Sequence, residues 1–121
     1  VYAADSSAPA VKALTSAIAS ASGLKPITAE ARDLDRRPVL AMELKKTDSV
    51  VFDPPRAGAE IQCGEIGRSK VSRAVAISCN PVTFARDAKI LVEAGFTLKW
   101  VRPVDQFLWS PHIEVVALFE R

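Results

Sequence analysis

The sequence has few metal-binding and redox-active residues: Cys63, Cys79 and His112 are its only cysteines and histidine. Two cysteines cannot form a four-cysteine metal site, and they are too few for a disulfide scaffold. No apolar run approaches the ~20 residues of a membrane span, and no basic leader precedes an apolar core at the N-terminus. These absences predict a cytoplasmic protein with no metal centre and no membrane partner.

The chain also has no large excess of charge of one sign: it contains 16 Lys and Arg and 14 Asp and Glu, which give a net charge of +2. This balance excludes a strongly electrostatic nucleic-acid clamp, although a local basic patch remains compatible with it. The chain has 121 residues, 49% of them apolar and 25% charged, which argues against disorder. We expect residues 1–121 to form one domain.

Apolar runs of strand length alternate with helical patterns along the chain. Strands are predicted at 1–4, 27–31, 49–52, 73–78, 96–101 and 113–119, and helices at about 9–21, 38–45, 59–69 and 82–94. The alternation predicts an α/β fold with a mostly parallel sheet. The nearly continuous apolar strand at 49–52 is expected to be buried on both faces, and Val92 is expected to face inward from the last helix. The last two strands lack a helix between them, which predicts an antiparallel ending.

Four chemically active side chains follow predicted strands: Asp5, Asp33, Asp53 and Cys79. In α/β sheets, ligands bind at the carboxyl edge of the strands, and an acid there often binds ribose hydroxyls. The alternative is that each aspartate only caps a turn or helix. The recurrence of such residues along one edge favours a binding site.

Cys79 has the most specific setting of these residues. Asn80 and Pro81 follow it with the pattern of an N-cap and a first helical residue. A helix N-terminus favours the thiolate form of a nearby cysteine. The alternative is a small buried apolar side chain, which is the interpretation we adopt for Cys63 in the middle of a predicted helix.

Three motifs in the second half of the chain resemble the RNA (uracil-5-)-methyltransferase family. They are Asp53–Gly58, Ser78–Asp87, and the closing segment formed by Pro103–Phe107, Pro111–Glu114 and Val116–Leu118. This family comprises bacterial enzymes that make 5-methyluridine in 23S ribosomal RNA or in transfer RNA with S-adenosylmethionine. The N-terminal half fits the family less distinctively.

The resemblance implies a Rossmann-like class I S-adenosylmethionine-dependent methyltransferase fold with an antiparallel C-terminal strand. It implies that Cys79 is the nucleophile, which adds to uracil C6, and that Glu114 is the general base. Asp5, Asp33 and Asp53 would contact S-adenosylmethionine. The expected partner is RNA, with ribosomal RNA preferred over transfer RNA.

For Glu114, the sequence alone favours an outward-facing strand residue, whereas the resemblance predicts an apolar pocket walled by Phe107, Trp109 and Pro111. Arg56 and Arg86, together with Lys89, are candidates for RNA phosphate contacts, although solvated surface charge is the simpler interpretation of each.

The family's first strand and glycine-rich loop should precede Val1, so we expect an N-terminally truncated, partial catalytic domain. Without the family's first strand, we expect either a gap or a direct pairing between the strands at 1–4 and 49–52. On this interpretation, residues 1–121 alone are inactive and self-associate through exposed strand edges.

Two other functions remain open. An amino-methyltransferase also carries an Asp-Pro-Pro turn, but an aromatic residue is expected where this sequence has Arg56. The second alternative is a non-catalytic module that binds RNA or protein. Retention of Cys79 and Glu114 argues against it.

Overall fold

The computed structural model describes residues 1–106 and 108–121, and it alternates strands with helices as predicted. The elements are β1 (Tyr2–Asp5), α1 (Ala8–Ser20), β2 (Thr28–Ala31), β3 (Ser49–Phe52), α2 (Glu60–Arg68), β4 (Arg73–Ser78), α3 (Pro81–Glu93), β5 (Thr97–Val104) and β6 (Glu114–Glu120). The chain divides into two compact units, Val1–Pro38 and Val39–Arg121, called the N-terminal and C-terminal units below. Among the described residues, no helix has the length and apolar character needed to cross a membrane.

The N-terminal unit is a β-α-β element in which β1 and β2 pair in parallel, with Asp5 opposite Ala31. Helix α1 begins after Ser7, whose Oγ accepts a hydrogen bond from the Ala10 N–H at 3.4 Å. A serine N-cap followed by Pro9 in the first turn is a strong helix start, which explains why the sequence predicted this helix. Residues 1–38 are all described, and none of them is buried.

The C-terminal unit contains a four-stranded sheet with the order β3-β4-β6-β5. β3 and β4 are parallel, whereas β6 runs antiparallel to both of its neighbours. The predicted antiparallel ending is therefore confirmed, and β4 has the bounds that the sequence predicted. β1 and β3 belong to separate sheets, so the direct pairing that was one of the two expected outcomes does not occur.

The hydrophobic core lies where α2 and α3 pack on one face of this sheet. Its buried members are Leu44, Cys63, Ile66, Val71, Ala74, Ala76, Leu91, Phe96, Ala117 and Phe119. Alternate residues of β4 and β6 contribute to it because successive side chains of a strand point to opposite faces. Phe84 of α3 packs its ring 6.4 Å from that of Phe119. The burial of Cys63 confirms the structural interpretation of that cysteine.

Three sequence expectations need correction. β3 is not buried on both faces: Val50 and Phe52 pack against the core, but Val51 is 67% exposed. The reason is that β3 is at the edge of its sheet and both helices cover the opposite face. Val92 is exposed as well, on the outer side of α3. The helix predicted at 38–45 is instead a single 3₁₀ turn at Glu43–Lys46, anchored by the buried side chain of Leu44.

Candidate active site

Asp53 and Cys79 lie at the same edge of the four-stranded sheet. Asp53 directly follows β3, and Cys79 directly follows the neighbouring parallel strand β4. The two strands are in register, with Phe52 opposite Ala76. Carboxyl ends of parallel neighbours meet at one edge, so the structure brings these two predicted site residues together.

Glu114 reaches that edge from the opposite chain direction. It is the first residue of β6, and the last recorded pair between β4 and β6 joins Ser78 to Val115. Cys79 directly follows Ser78 and Glu114 directly precedes Val115, so both residues lie one position beyond this pair, at the same end of the β4–β6 ladder. The Glu114 Oε2 atom accepts a hydrogen bond from Gln106 Nε2 at 3.1 Å.

The turn that carries Cys79 is held by its neighbours. The Ser78 Oγ accepts the Asn80 N–H at 3.2 Å, and the Asn80 Oδ1 accepts the Val82 N–H at 3.1 Å. Asn80 is therefore the N-cap of α3 and Pro81 its first residue, as predicted. Cys79 itself is half-buried, in contrast to the fully buried Cys63.

Burial also separates the two thiols chemically. Desolvation, with a smaller contribution from Asp87, raises the pKa of the Cys63 thiol to about 12. A buried thiol of this kind stays protonated near neutral pH and is a poor nucleophile. Of the two cysteines, Cys79 is the one with access to a reaction partner.

The expected apolar pocket around Glu114 is not formed by Trp109 or Pro111, because both side chains are exposed, Trp109 at 102%. This expectation was wrong for these two residues, and the third, Phe107, lies outside the described residues. The segment also carries His112, whose Nδ1 lies 3.4 Å from Arg56 Nη1. This contact joins the loop before β6 to the loop after β3.

The Arg86 side chain is 39% exposed, as expected for a surface charge, but its guanidinium is paired within the chain. Its guanidinium contacts the carboxylates of Asp87 at 2.8 Å and Glu60 at 3.3 Å, and it donates to the Ala57 carbonyl at 2.9 Å. Lys89, by contrast, is an exposed residue 3.6 Å from Glu93. Sequence reasoning included Asp87 in the Ser78–Asp87 motif but gave it no role, although Asn80, Thr83 and Asp87 recur with the spacing of one helical face.

Asp5 is the last residue of β1, and Asp33 lies two residues after the end of the neighbouring strand β2. The Asp5 Oδ1 accepts the Ser7 N–H at 2.6 Å, and the Asp33 Oδ1 accepts the N–H groups of Asp35 and Arg36 at 3.1 and 3.3 Å. Both carboxylates thus cap turns. A cleft of about 250 Å³ opens beside Asp5, lined also by Ala3, Ala4, Ala10, Val11 and Leu14. The cleft leaves room for a ligand at Asp5, whose assigned role stays a prediction.

Alternating β and α elements, with β6 inserted antiparallel beside β4, define the fold of class I S-adenosylmethionine-dependent methyltransferases. The crystal structure of the Pyrococcus abyssi tRNA (uracil-54, C5)-methyltransferase in complex with S-adenosyl-L-homocysteine matches 98% of this chain and 28% of that chain, with a TM-score of 0.79 and 32% identity. The Methanococcus jannaschii fibrillarin pre-rRNA processing protein matches with a TM-score of 0.65 at 18% identity and supports the fold alone. The predicted fold class is confirmed.

The family is shown by the sequence itself. The profile described as tRNA (Uracil-5-)-methyltransferase matches residues 4–121, and the chain belongs to this family. Proteins named as uncharacterized RNA methyltransferases are 66% identical in Caulobacter vibrioides and 56% identical in Agrobacterium fabrum, each over all 121 residues. The chain spans 29% of the length of each of these two relatives.

Proposed function

We propose that the protein carrying this chain methylates C5 of uridine in RNA, with Cys79 as nucleophile and Glu114 as general base. The observation that carries the proposal is the β4–β6 register, whose last pair is Ser78–Val115: Cys79 follows Ser78 and Glu114 precedes Val115, so both lie at the same end of this ladder. Family membership supplies the reaction class. Our first candidate for the substrate is ribosomal RNA. The second is transfer RNA, after which both the family and the P. abyssi enzyme are named.

The chemistry requires these two residue types. C5 of uracil is a weak nucleophile, so the Cys79 thiolate first adds to C6, and the electron pair of the C5–C6 bond moves into an enolate. C5 then forms a bond to a methyl group, which S-adenosylmethionine supplies when it is bound. Glu114 removes the proton from C5, and the electrons of that C–H bond restore the C5–C6 double bond as the Cys79 sulfur leaves.

We propose that Asp5, Asp33 and Asp53 contact the methyl donor. Asp53 is exposed at the edge that also carries Cys79, which suits a contact near the methyl group. In the N-terminal unit, the Ser7 N–H fixes the orientation of the Asp5 carboxylate through its Oδ1 and leaves Oδ2 to accept from ribose hydroxyls. The cleft beside Asp5 has apolar walls, which suits a purine base, and Asp33 on the next strand is placed in the same proposal near the adenine.

The target uracil must leave its stack to reach Cys79. A net charge of +2 gives this chain little general affinity for a polyanion, so we propose that further RNA contacts come from other parts of the full-length protein.

The test is methyl transfer from radiolabelled S-adenosylmethionine to 23S ribosomal RNA and transfer RNA transcripts, with the full-length protein that carries this chain. Cys79→Ala is expected to reduce the rate to background because no enolate can form. The matched control, Cys63→Ala, removes a fully buried thiol and should retain methylation after its stability has been checked. Glu114→Gln should slow turnover strongly and accumulate the covalent RNA adduct.

Full activity in Cys79→Ala would contradict the proposal and favour the amino-methyltransferase, which needs no nucleophilic cysteine. If no RNA is methylated by the folded protein, the non-catalytic binding module becomes the better account.

We further propose that residues 1–121 in isolation bind S-adenosylmethionine weakly and self-associate through β3. This strand is at the edge of its sheet and exposes Val51, and such edges pair with other chains. Light scattering should show dimers or larger species of this chain, and Val51→Lys should reduce them. A monomer that binds the cofactor tightly in a calorimetric titration would contradict both statements.

A further inference from the structure

We propose that Thr83, Arg86 and Asp87 are positioning residues that clamp the loop after β3 to helix α3 and so hold Asp53 in place relative to Cys79. The clamp is defined as the contacts that these α3 side chains, together with the N-cap residue Asn80, make to the backbone of residues 56–59. Its link to catalysis rests on the proposed function, but its geometry does not.

The clamp consists of successive contacts to the loop backbone. From the start of α3 onward, they are Asn80 Nδ2 to the Arg56 carbonyl at 3.0 Å, Thr83 Oγ1 to the same carbonyl at 3.1 Å, Arg86 Nη2 to the Ala57 carbonyl at 2.9 Å, and the Ala59 N–H to Asp87 Oδ2 at 2.6 Å. Each contact involves a main-chain group of the loop. The contacts therefore depend on where the loop backbone lies and not on which side chains the loop carries.

Asp87 is the centre of the clamp. It is only 4% exposed, and a carboxylate removed from water must be compensated by charge and hydrogen bonds. The Arg86 guanidinium supplies both, with Nε and Nη2 at 3.0 and 2.8 Å from Asp87 Oδ1. The second carboxylate oxygen is then free to accept the Ala59 N–H. The burial of a carboxylate on a helix surface is explained by the loop that covers it and by the partly exposed Arg86 that pairs with it.

Gly58 shows how closely the loop approaches the helix. Its φ is +83°, and a Cβ at this position would lie 2.5 Å from Arg86 Nη2, 2.6 Å from Asp87 Oδ2 and 3.0 Å from Thr83 Cβ. No side chain fits there without displacing the clamp. The loop is therefore packed against α3 through its backbone, and a glycine is required at the point of contact.

Asn80, the N-cap of α3, directly follows Cys79 and donates to the Arg56 carbonyl. The turn that carries Cys79 and the loop that begins with Asp53 thus share one rigid support. Because catalysis depends on reacting groups being held in a narrow range of positions, loss of the clamp should affect the cysteine as well as the loop.

The test compares Thr83→Val and Asp87→Asn with Lys89→Gln in the full-length protein that carries this chain. Lys89 lies on the exposed side of the same helix and is the matched control. The readouts are hydrogen exchange of the peptide covering 53–63 and the rate of iodoacetamide labelling of the Cys79 peptide, both by mass spectrometry. Neither readout requires methylation activity, so failure of the clamp and failure of the proposed function are distinguishable.

In Thr83→Val, loop exchange should rise about tenfold and labelling of Cys79 about threefold or more, because a bound backbone group is released. Thr83→Ser keeps the hydroxyl and should restore both values to within about twofold of the native protein. Where methylation is measurable, kcat should fall more than KM for RNA rises. Asp87→Asn should increase loop exchange more than Thr83→Val does. If Asp87→Asn does not fold, the result for Thr83→Val alone tests the proposal.

The proposal is overturned if loop exchange and Cys79 labelling are unchanged in Thr83→Val. It is also overturned if exchange rises equally in a peptide from β6, which would mean that the substitution only lowers global stability. A change of the same size in Lys89→Gln would contradict it as well.

Discussion

The two compact units of this chain differ in what stabilises them. Among residues 1–106 and 108–121, every buried side chain lies in the C-terminal unit, whereas no residue of the N-terminal unit is buried. The N-terminal unit relies on strand pairing, helix capping and exposed polar contacts, and the C-terminal unit has a packed core beneath its sheet. The candidate nucleophile and base therefore belong to the unit with a packed core, whereas Asp5 and Asp33 belong to the unit without buried residues.

The largest expected effect comes from the core of the C-terminal unit. Phe119 is fully buried, and Phe119→Ala should lower the free energy of unfolding by about 3–5 kcal/mol because it leaves a cavity and removes apolar burial. The comparison variant is Ile18→Ala on α1, which has no buried residue and should lose less than about 1 kcal/mol. Urea denaturation measures both. Equal losses would mean that the two units are packed alike.

Arg121 gives the next largest effect, since its guanidinium joins the C-terminal ends of α2 and α3. It donates to the carbonyls of Ile66 (3.3 Å), Gly67 (2.9 Å), Ser69 (2.6 Å), Val71 (2.8 Å) and Ala94 (3.1 Å). It also lies 4.2 Å from the centre of the Phe96 ring. Arg121→Ala should destabilise the unit by about 1.5–3 kcal/mol, because several carbonyls lose a charged donor.

The matched control for Arg121 is Arg68→Ala, which removes an exposed arginine paired with Glu65. Exposed ion pairs contribute about 0–1 kcal/mol, so this loss should be clearly smaller. A loss in Arg121→Ala no greater than that in Arg68→Ala would show that the carbonyl contacts do not stabilise the unit.

Two glycines of α2 sharpen the comparison further. A Cβ at Gly67 would lie 2.7 Å from Ala94 Cβ, so Gly67→Ala should destabilise by about 1–3 kcal/mol through overpacking against α3. At Gly64 only the flexible Arg68 side chain lies within reach, at 3.7 Å, so Gly64→Ala should stabilise by up to ~1 kcal/mol through helix propensity. The midpoint temperature of thermal unfolding should fall in Gly67→Ala and rise in Gly64→Ala. Shifts of the same sign in the two variants would contradict this description of the packing.

The smallest effect is expected in the N-terminal unit, where Tyr2 donates its hydroxyl proton to Glu30 Oε2 at 2.5 Å. This hydrogen bond, aided by Arg32 and Arg37, lowers the pKa of Glu30 from its ordinary value of 4.5. The stabilisation from a lowered carboxyl pKa is present above the unfolded-state pKa and is lost as the pH falls through the folded-state pKa. An NMR titration should give a Glu30 midpoint below 4.5 that rises in Tyr2→Phe. An unchanged midpoint would contradict the assigned cause.

Local sequence chemistry predicted much of this fold. The bounds of β4, the Asn80 cap and the antiparallel ending follow from patterns within a few residues of each other. The exposure of Val51 does not, because it depends on which strand lies at the edge of the sheet. Strand order is a property of distant pairings that an apolar run of four residues does not encode.

The candidate site could likewise be predicted only where it depends on local sequence patterns. Strand ends identified Asp53 and Cys79, but the position of Glu114 at the same end of the β4–β6 ladder as Cys79 follows from the register of β4 with a strand that begins 35 residues after Cys79. Asp87 and Arg86 have the sequence pattern of surface charges on a helix. The burial of Asp87 and its pairing with Arg86 are explained by the loop at 56–59, which covers this part of the helix.

The central claim is that Cys79 forms a covalent bond to uracil C6 during methylation, and a substrate analogue tests it most directly. The full-length protein is incubated with S-adenosylmethionine and RNA that contains 5-fluorouridine. Fluorine at C5 leaves no proton for Glu114 to remove, so the adduct cannot resolve. Mass spectrometry of the digested complex should find a methylated fluorouridine nucleotide on the peptide that contains Cys79. Folded protein that methylates ordinary RNA but carries no nucleotide on this peptide would contradict the account.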